Sequence, residues 1–184
     1  MHGGFVIVLF SGGLIFMEPS DELVQIVDEA NNPVGSVTRS EMRRLGLIHR
    51  AAYILVFNSR GELFVQKRTM SKDIYPGYYD VAAGGVVLAG EPWDEAARRE
   101  LAEETGIAGV PLAPHFPFYY SDENNRVWGM IYSCTWDGDI VLQPEEVESG
   151  EFMTLDKVFD RMETARFTPD GVLILKKFVA ESSL

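Results

Sequence analysis

Residues 84–107, GGVVLAGEPWDEAARRELAEETGI, constrain the fold more than any other stretch of the chain. Trp93, Ala97 and Leu101 recur every four residues, which on an α-helix makes one apolar stripe that must be buried. Pro92 suits the first turn, where its missing N–H costs nothing, and Gly106 suits the left-handed stop. The other face carries Glu100, Glu103 and Glu104, which at spacings of three and four lie side by side. Unpaired, each such pair costs a few tenths of a kcal/mol, roughly. Solvated acidic faces of this kind are common, but the flanking residues point elsewhere. Arg99, four before Glu103, can orient a carboxylate, and Glu91 sits near the positive end of the helix dipole. Gly84 and Gly85 fall where a strand is expected to turn into a loop, and their missing side chains let backbone approach a ligand closely. Several carboxylates with backbone carbonyls make a hard oxygen site, suited to Mg²⁺ or Mn²⁺.

The remaining composition is consistent with one core and an anionic small-molecule chemistry. With 184 residues, 46% of them hydrophobic, the chain can fill a single domain. A net charge of -12 argues against nucleic acid and anionic membranes as partners. An anionic substrate then needs a cationic mediator, and a divalent metal is the usual one. The single cysteine, Cys134, excludes an internal disulfide and any multi-cysteine metal site. Its setting in GMIYSCTW predicts a buried strand residue and a cytoplasmic protein. The first residues, MHGGFVIVLFSGGLIFM, are apolar and carry no Lys or Arg. They are short for a bilayer-spanning helix and lack a signal peptide's basic region and cleavage site. Residues 1–20 are therefore expected to be an extension, with Met17 as the native start and one domain over 21–184.

Elsewhere the patterns alternate. ELVQIVDEANNPVGSVTR predicts two short strands around an Asn-Asn-Pro turn. Thr38 and Glu41 have capping-box spacing, so SEMRRLGL predicts a short helix. AAYILVFNSRGELFVQKR predicts a hairpin turning at 58–61, and TMSKDIYPGYYD a loop with a turn at Pro76-Gly77. HFPFYY and RVWGMIYSCTW read as strands. TLDKVFDRM and TPDGVLILKKFVAES read as helices, each opened by a threonine cap. Strands, a helix, strands and then helices predict an α+β sandwich.

Gly85, five residues, Glu91, seven residues, then Arg99-Glu100-Leu101-Ala102-Glu103-Glu104-Thr105-Gly106-Ile107 is similar in full to the Nudix box. The resemblance implies an α/β/α sandwich with a mixed sheet, and hydrolysis of a nucleoside diphosphate derivative or related organic diphosphate. It implies that Glu100 and Glu104 ligate Mg²⁺ (or Mn²⁺), with Glu103 as a third ligand or a base and the Gly85 carbonyl as a further ligand. Arg99 and Glu91 would hold the carboxylates and the loop. Outside the box, Glu146 lies five residues before Glu151-Phe152, where several family members place a further glutamate of the metal site; a solvated loop is the other reading of QPEEVESGEF.

IHRAAYILVFNSRGELFVQKRTMSKDIYPGYYDVAAGGV also resembles isopentenyl-diphosphate isomerase, a branch that shares the fold. That branch has Cys-Gly-His where this chain has Ala83, Gly84 and Gly85, and its cysteine is a catalytic acid/base. Alanine cannot move a proton, so the resemblance supports the scaffold and argues against the isomerase reaction. His49 is what remains of that pattern, with a structural or substrate role expected. Lys67, Arg68 and Lys72 are candidate donors to an anionic substrate, or ordinary surface charge. Tyr119, Tyr120 and Trp128 either stack a base or belong to the core. His115 carries no signal. A homodimer is compatible with this reading, and so is a non-catalytic ligand-binding module, although such modules usually lose the box glutamates.

Overall fold

The structure is a computed structural model that describes residues 6–10 and 13–182. Strands β1 (Val6–Phe10) and β2 (Gly13–Met17) pair antiparallel as a two-stranded sheet of their own. The expectation that the native protein starts at Met17 lies partly outside the described residues.

Alternation along β5 (His49–Phe57) organises the rest. Ala52, Ile54 and Val56 face one layer, while Tyr53, Leu55 and Phe57 face the other. Both faces are apolar, so helices must cover both. Around β5 lie β3 (Leu23–Val27), β4 (Pro33–Thr38), β6 (Leu63–Arg68), β7 (Tyr79–Asp80), β8 (Ala83–Val86), β9 (Ala113–Ser121), β10 (Arg126–Thr135) and β11 (Val147–Met153). They form a nine-stranded sheet with the path β11-β6-β5-β10-β9 and side pairings of β3, β7 and β8. β10 runs parallel to β5 and the other pairings are antiparallel, which makes the sheet mixed.

Helix α1 (Arg39–Leu45) is closed at one end by the Thr38 hydroxyl accepting from the Glu41 N–H, and at the other by Gly46 in the left-handed conformation. Helix α2 (Trp93–Thr105) packs Ala96, Ala97 and Leu101 against Ile54, Val56 and Phe64. Helices α3 (Leu155–Met162) and α4 (Pro169–Ser182) cover the opposite face, with Val158, Ile174 and Leu175 packed on Leu55, Leu63 and Val65. The result is the expected α/β/α sandwich. Leu101 is 1% exposed. Truncation to alanine is expected to cost about 2–5 kcal/mol by urea denaturation; a cost under about 1 kcal/mol would mean that this stripe does not seat the helix.

Several local expectations need correction. Pro92 caps α2 with extended backbone, φ -66° and ψ 149°, rather than opening its first turn, because the helix begins only at Trp93. Gly84 and Gly85 lie inside β8, paired with Tyr53 and Ala52, not in a loop. Thr154 precedes α3 but its side chain makes no capping bond. Thr168 precedes α4 and its carbonyl accepts from Val172, yet its hydroxyl has no partner. QPEEVESGEF contributes an edge strand, since Val147–Met153 pairs with β6. Cys134 is buried in β10 as expected.

Candidate active site

The glycines of β8 and the glutamates of α2 are fitted to each other. At Gly84, with φ 145°, a Cβ would run into the Ala52 carbonyl oxygen of the neighbouring strand. At Gly85 a Cβ would stand 2.6 Å from the Glu100 carboxylate. The missing side chain at Gly85 lets α2 bring Glu100 onto the sheet. Glu104 uses that approach: its Oε2 accepts from the Gly84 N–H at 3.0 Å and from Gln66 Nε2 at 3.2 Å. Gln66 also donates to the Ala82 carbonyl, so β6, β8 and α2 are joined at this point.

Arg99 holds the other end. Its Nε and Nη2 form a fork on Glu91, at 2.9 and 3.0 Å, and Nη2 also donates to the Val86 carbonyl. Nη1 donates to Glu100 at 2.7 Å and to Glu103 at 3.2 Å. Glu91 in turn accepts from the Leu88 N–H, which pins the loop between β8 and α2. Burial pushes the Glu100 carboxyl up to about 7 against the pull of Arg99, with Glu104 and Glu103 adding to the rise. Burial also raises Glu103, and Arg99 opposes it.

Lys72 arrives from the loop after β6. Its side chain is 9% exposed, and its ammonium pairs with Glu146 and lies 3.8 Å from Glu104. Burial lowers it to about 8 while Glu104 holds it up. Glu146 thus joins the α2 glutamates through a lysine. Arg68 lies deeper, 3.4 Å from Asp80, and His49 is buried in the wall of the adjoining cavity. Burial and the nearby Arg43 lower the imidazole to about 3, so it is neutral. Lys67 is not brought to the site: it pairs with Glu148 at the surface, on the opposite side of β6 from Gln66. Tyr119 and Trp128 face each other at 5.4 Å, and the Tyr120 hydroxyl donates to Asp122.

Some neighbours carried no sequence signal. Glu22, buried beside Arg39, shares the cleft of Glu100, Glu103 and Glu104. Arg39 and Arg43, one turn apart on α1, both face Asp73, at 3.7 and 2.9 Å. Their spacing placed them on one helix face, but nothing local said that the face meets the 69–77 loop.

Among the described residues no group of three or more His, Cys, Asp or Glu side chains stands ready-made around a metal position. The donor set nevertheless fits a hard divalent cation. Its donors are carboxylate oxygens and strand carbonyls, Glu100 is buried with a raised proton affinity, and the Lys72 ammonium already occupies a cation position between Glu104 and Glu146.

The NUDIX domain model matches residues 47–173. The chain belongs to the Nudix family. It is 42% identical to an uncharacterized Nudix hydrolase of Pseudomonas aeruginosa over 158 residues, covering 86% of this chain and 94% of that one. It is 46% identical to the uncharacterized Nudix hydrolase YfcD of Escherichia coli over 156 residues, covering 85% and 86%. The crystal structure of DR0079 from Deinococcus radiodurans superposes with a TM-score of 0.75 at 25% identity, covering 85% and 98%. The Nudix domain of Shewanella oneidensis NrtR, crystallised with ADP ribose, shares the fold with a TM-score of 0.58 at 14% identity, covering 79% and 99%. The chain is thus a Nudix pyrophosphohydrolase by class. Ala83 gives β8 no ionisable side chain at the place where the isomerase branch has its cysteine. No helix among the described residues is long and apolar enough to cross a membrane.

Proposed function

We propose that this enzyme hydrolyses the pyrophosphate bond of a nucleoside diphosphate derivative or a related organic diphosphate, with Mg²⁺ or Mn²⁺ as cofactor. The observation that carries the reading is the seating of Glu100 and Glu104 against Gly84 and Gly85 of β8, with Arg99 bracing Glu91, Glu100 and Glu103. Glu100 and Glu104, with Glu103 and the Gly85 carbonyl, are the residues that would hold the cation. When bound, such a cation screens the phosphate charge and makes the attacking water more acidic.

The chain's own groups do the rest. Lys72, Arg68 and Arg39 meet the diphosphate charge from the side opposite α2. Arg99 orients Glu100 and opposes the rise in its proton affinity that burial causes. Glu103, with a side chain 39% exposed and held only through Arg99 Nη1, is open to accept the proton of the attacking water. Glu146 is the alternative acceptor and is released when Lys72 turns to phosphate. His49, neutral and buried, shapes the pocket wall. The same reading places the enzyme in the cytoplasm, where the lone thiol of Cys134 stays reduced.

The test is a screen of nucleoside diphosphate derivatives and simple organic diphosphates, reading the phosphorylated products with Mg²⁺ and again with EDTA. Turnover of at least one compound that vanishes with EDTA is expected. Turnover that survives chelation would sink the cation assignment, and none across the panel would sink the substrate class.

A further inference from the structure

Beside the glutamates, and sharing Gly84, Gly85 and Lys72 with them, lies a cavity of about 60 Å³. Its inner end bears Asp80 from β7 and Asp170 from the first turn of α4, both buried. Arg68 Nη1 is 3.4 Å from Asp80. Asp170 accepts from the Tyr53 hydroxyl at 2.8 Å and from the Gly171 N–H at 3.1 Å. Asp80 otherwise accepts only a long bond, 3.4 Å, from the Ala82 N–H. Each ionised carboxylate offers about four acceptor sites, so acceptor capacity exceeds the donors present. Burial lifts both carboxyls above their usual range, Asp80 to about 7.

A second feature points the same way. Thr168 lines the cavity at 1% exposure, and its Oγ1 has no hydrogen-bond partner. Arg68 Nε is likewise buried without one. Buried polar atoms of this kind are normally hydrogen-bonded, so the cavity has room for a partner to them. The neighbouring Gly171 keeps the space clear, since a Cβ there would collide with Thr168 Oγ1 and come within 3.0 Å of Asp80 Oδ1.

We propose that this inner end binds a small hydrogen-bond-donating head group, hydroxyl or ammonium, on the organic side of the diphosphate. A donor placed there reaches Asp80 and Asp170 and can accept from or donate to Thr168, while the diphosphate remains beside Lys72 and the glutamates. The inner end is narrow, which suits a small head group. A nucleoside, where present, occupies the open groove of about 450 Å³ between α1 and Glu145-Glu146. This inference rests on the diphosphate reading above and deepens it.

The experiment compares ethyl, hydroxyethyl and aminoethyl diphosphate on the full chain. Calorimetry with Ca²⁺ gives the affinities, and phosphate release with Mg²⁺ gives the turnover. Hydroxyethyl or aminoethyl diphosphate is expected to bind roughly 10-fold tighter than the ethyl ester, as one or two good hydrogen bonds provide. Which of the two leads tells hydroxyl from ammonium. In Thr168→Val and in Asp170→Asn the preference is expected to fall by several-fold. Thr168→Val should also keep or raise thermal stability, since it deletes an unpaired buried hydroxyl, so lost discrimination there is not a folding defect. Equal binding of the three esters by the wild type, or a preference untouched in both variants, overturns the proposal and leaves the cavity to water. If no ester binds while another compound of the panel above is cleaved, this inference falls and the diphosphate reading stands; if nothing in that panel is cleaved either, both fall.

Discussion

Glu104→Gln is expected to lower turnover by at least about 100-fold, beyond the loss that follows from disturbing an orienting partner alone. The substitution is nearly isosteric. A glutamine oxygen can still accept from the Gly84 N–H and from Gln66, so β6, β8 and α2 stay joined. What disappears is the negative charge facing Lys72 at 3.8 Å and, on our reading, a ligand to the cation. The loss should therefore appear in kcat at saturating Mg²⁺, with little change in the urea midpoint. Activity within about threefold of wild type would place the chemistry elsewhere. A large fall in stability would instead mean that Glu104 is held for folding.

Arg99→Met is expected to destabilise the enzyme by about 3 kcal/mol, the low end for breaking a buried ion pair, because the arginine side chain is still 22% exposed. One guanidinium satisfies Glu91, Glu100, Glu103 and the Val86 carbonyl. Without it Glu100, already raised by burial, loses its hydrogen-bonded guanidinium, and the loop pinned through Glu91 is released from the helix. In a domain of this size the melting temperature should fall by roughly 6–12 °C. Arg99→Lys keeps the charge but loses the fork on Glu91, so it should recover only part of the loss. Added Mg²⁺ should stabilise the methionine variant, since a divalent cation can take over part of the neutralisation. A melting temperature unchanged in Arg99→Met would show that the network does not hold the loop.

The two variants separate the roles of the acidic face. Glu104 is buried where strand and helix meet and accepts from backbone, as a positioned ligand requires. Glu103 projects from the same helix but keeps only Arg99 and is the most open of the three. Their different exposures follow from the roughly 100° between successive residues on α2 and not from residue type.

Much of this was legible in the chain because it is local. The apolar stripe of α2, the three glutamates on its other face, the left-handed Gly106 and the Thr38 cap all follow from three- and four-residue periodicity and from capping chemistry. The strand pair around 58–61 is equally local, since turn residues and alternation lie within a few positions of each other. The box spacing carried the family. Tertiary structure decided the partners. Gln66 reaches Glu104, Lys72 reaches Glu146, and Tyr53 reaches Asp170 only because the sheet brings distant segments together. Lys67 and Arg68 are adjacent and both basic, but successive strand residues point to opposite faces, so one pairs with Glu148 at the surface and the other is buried against Asp80. The glycines show the division most directly. Their small size was plain from the sequence, but that Gly84 spares a strand carbonyl and Gly85 spares a glutamate depends on how close β5 and α2 come to β8. Periodicity determines what each element exposes; packing alone determines what it meets.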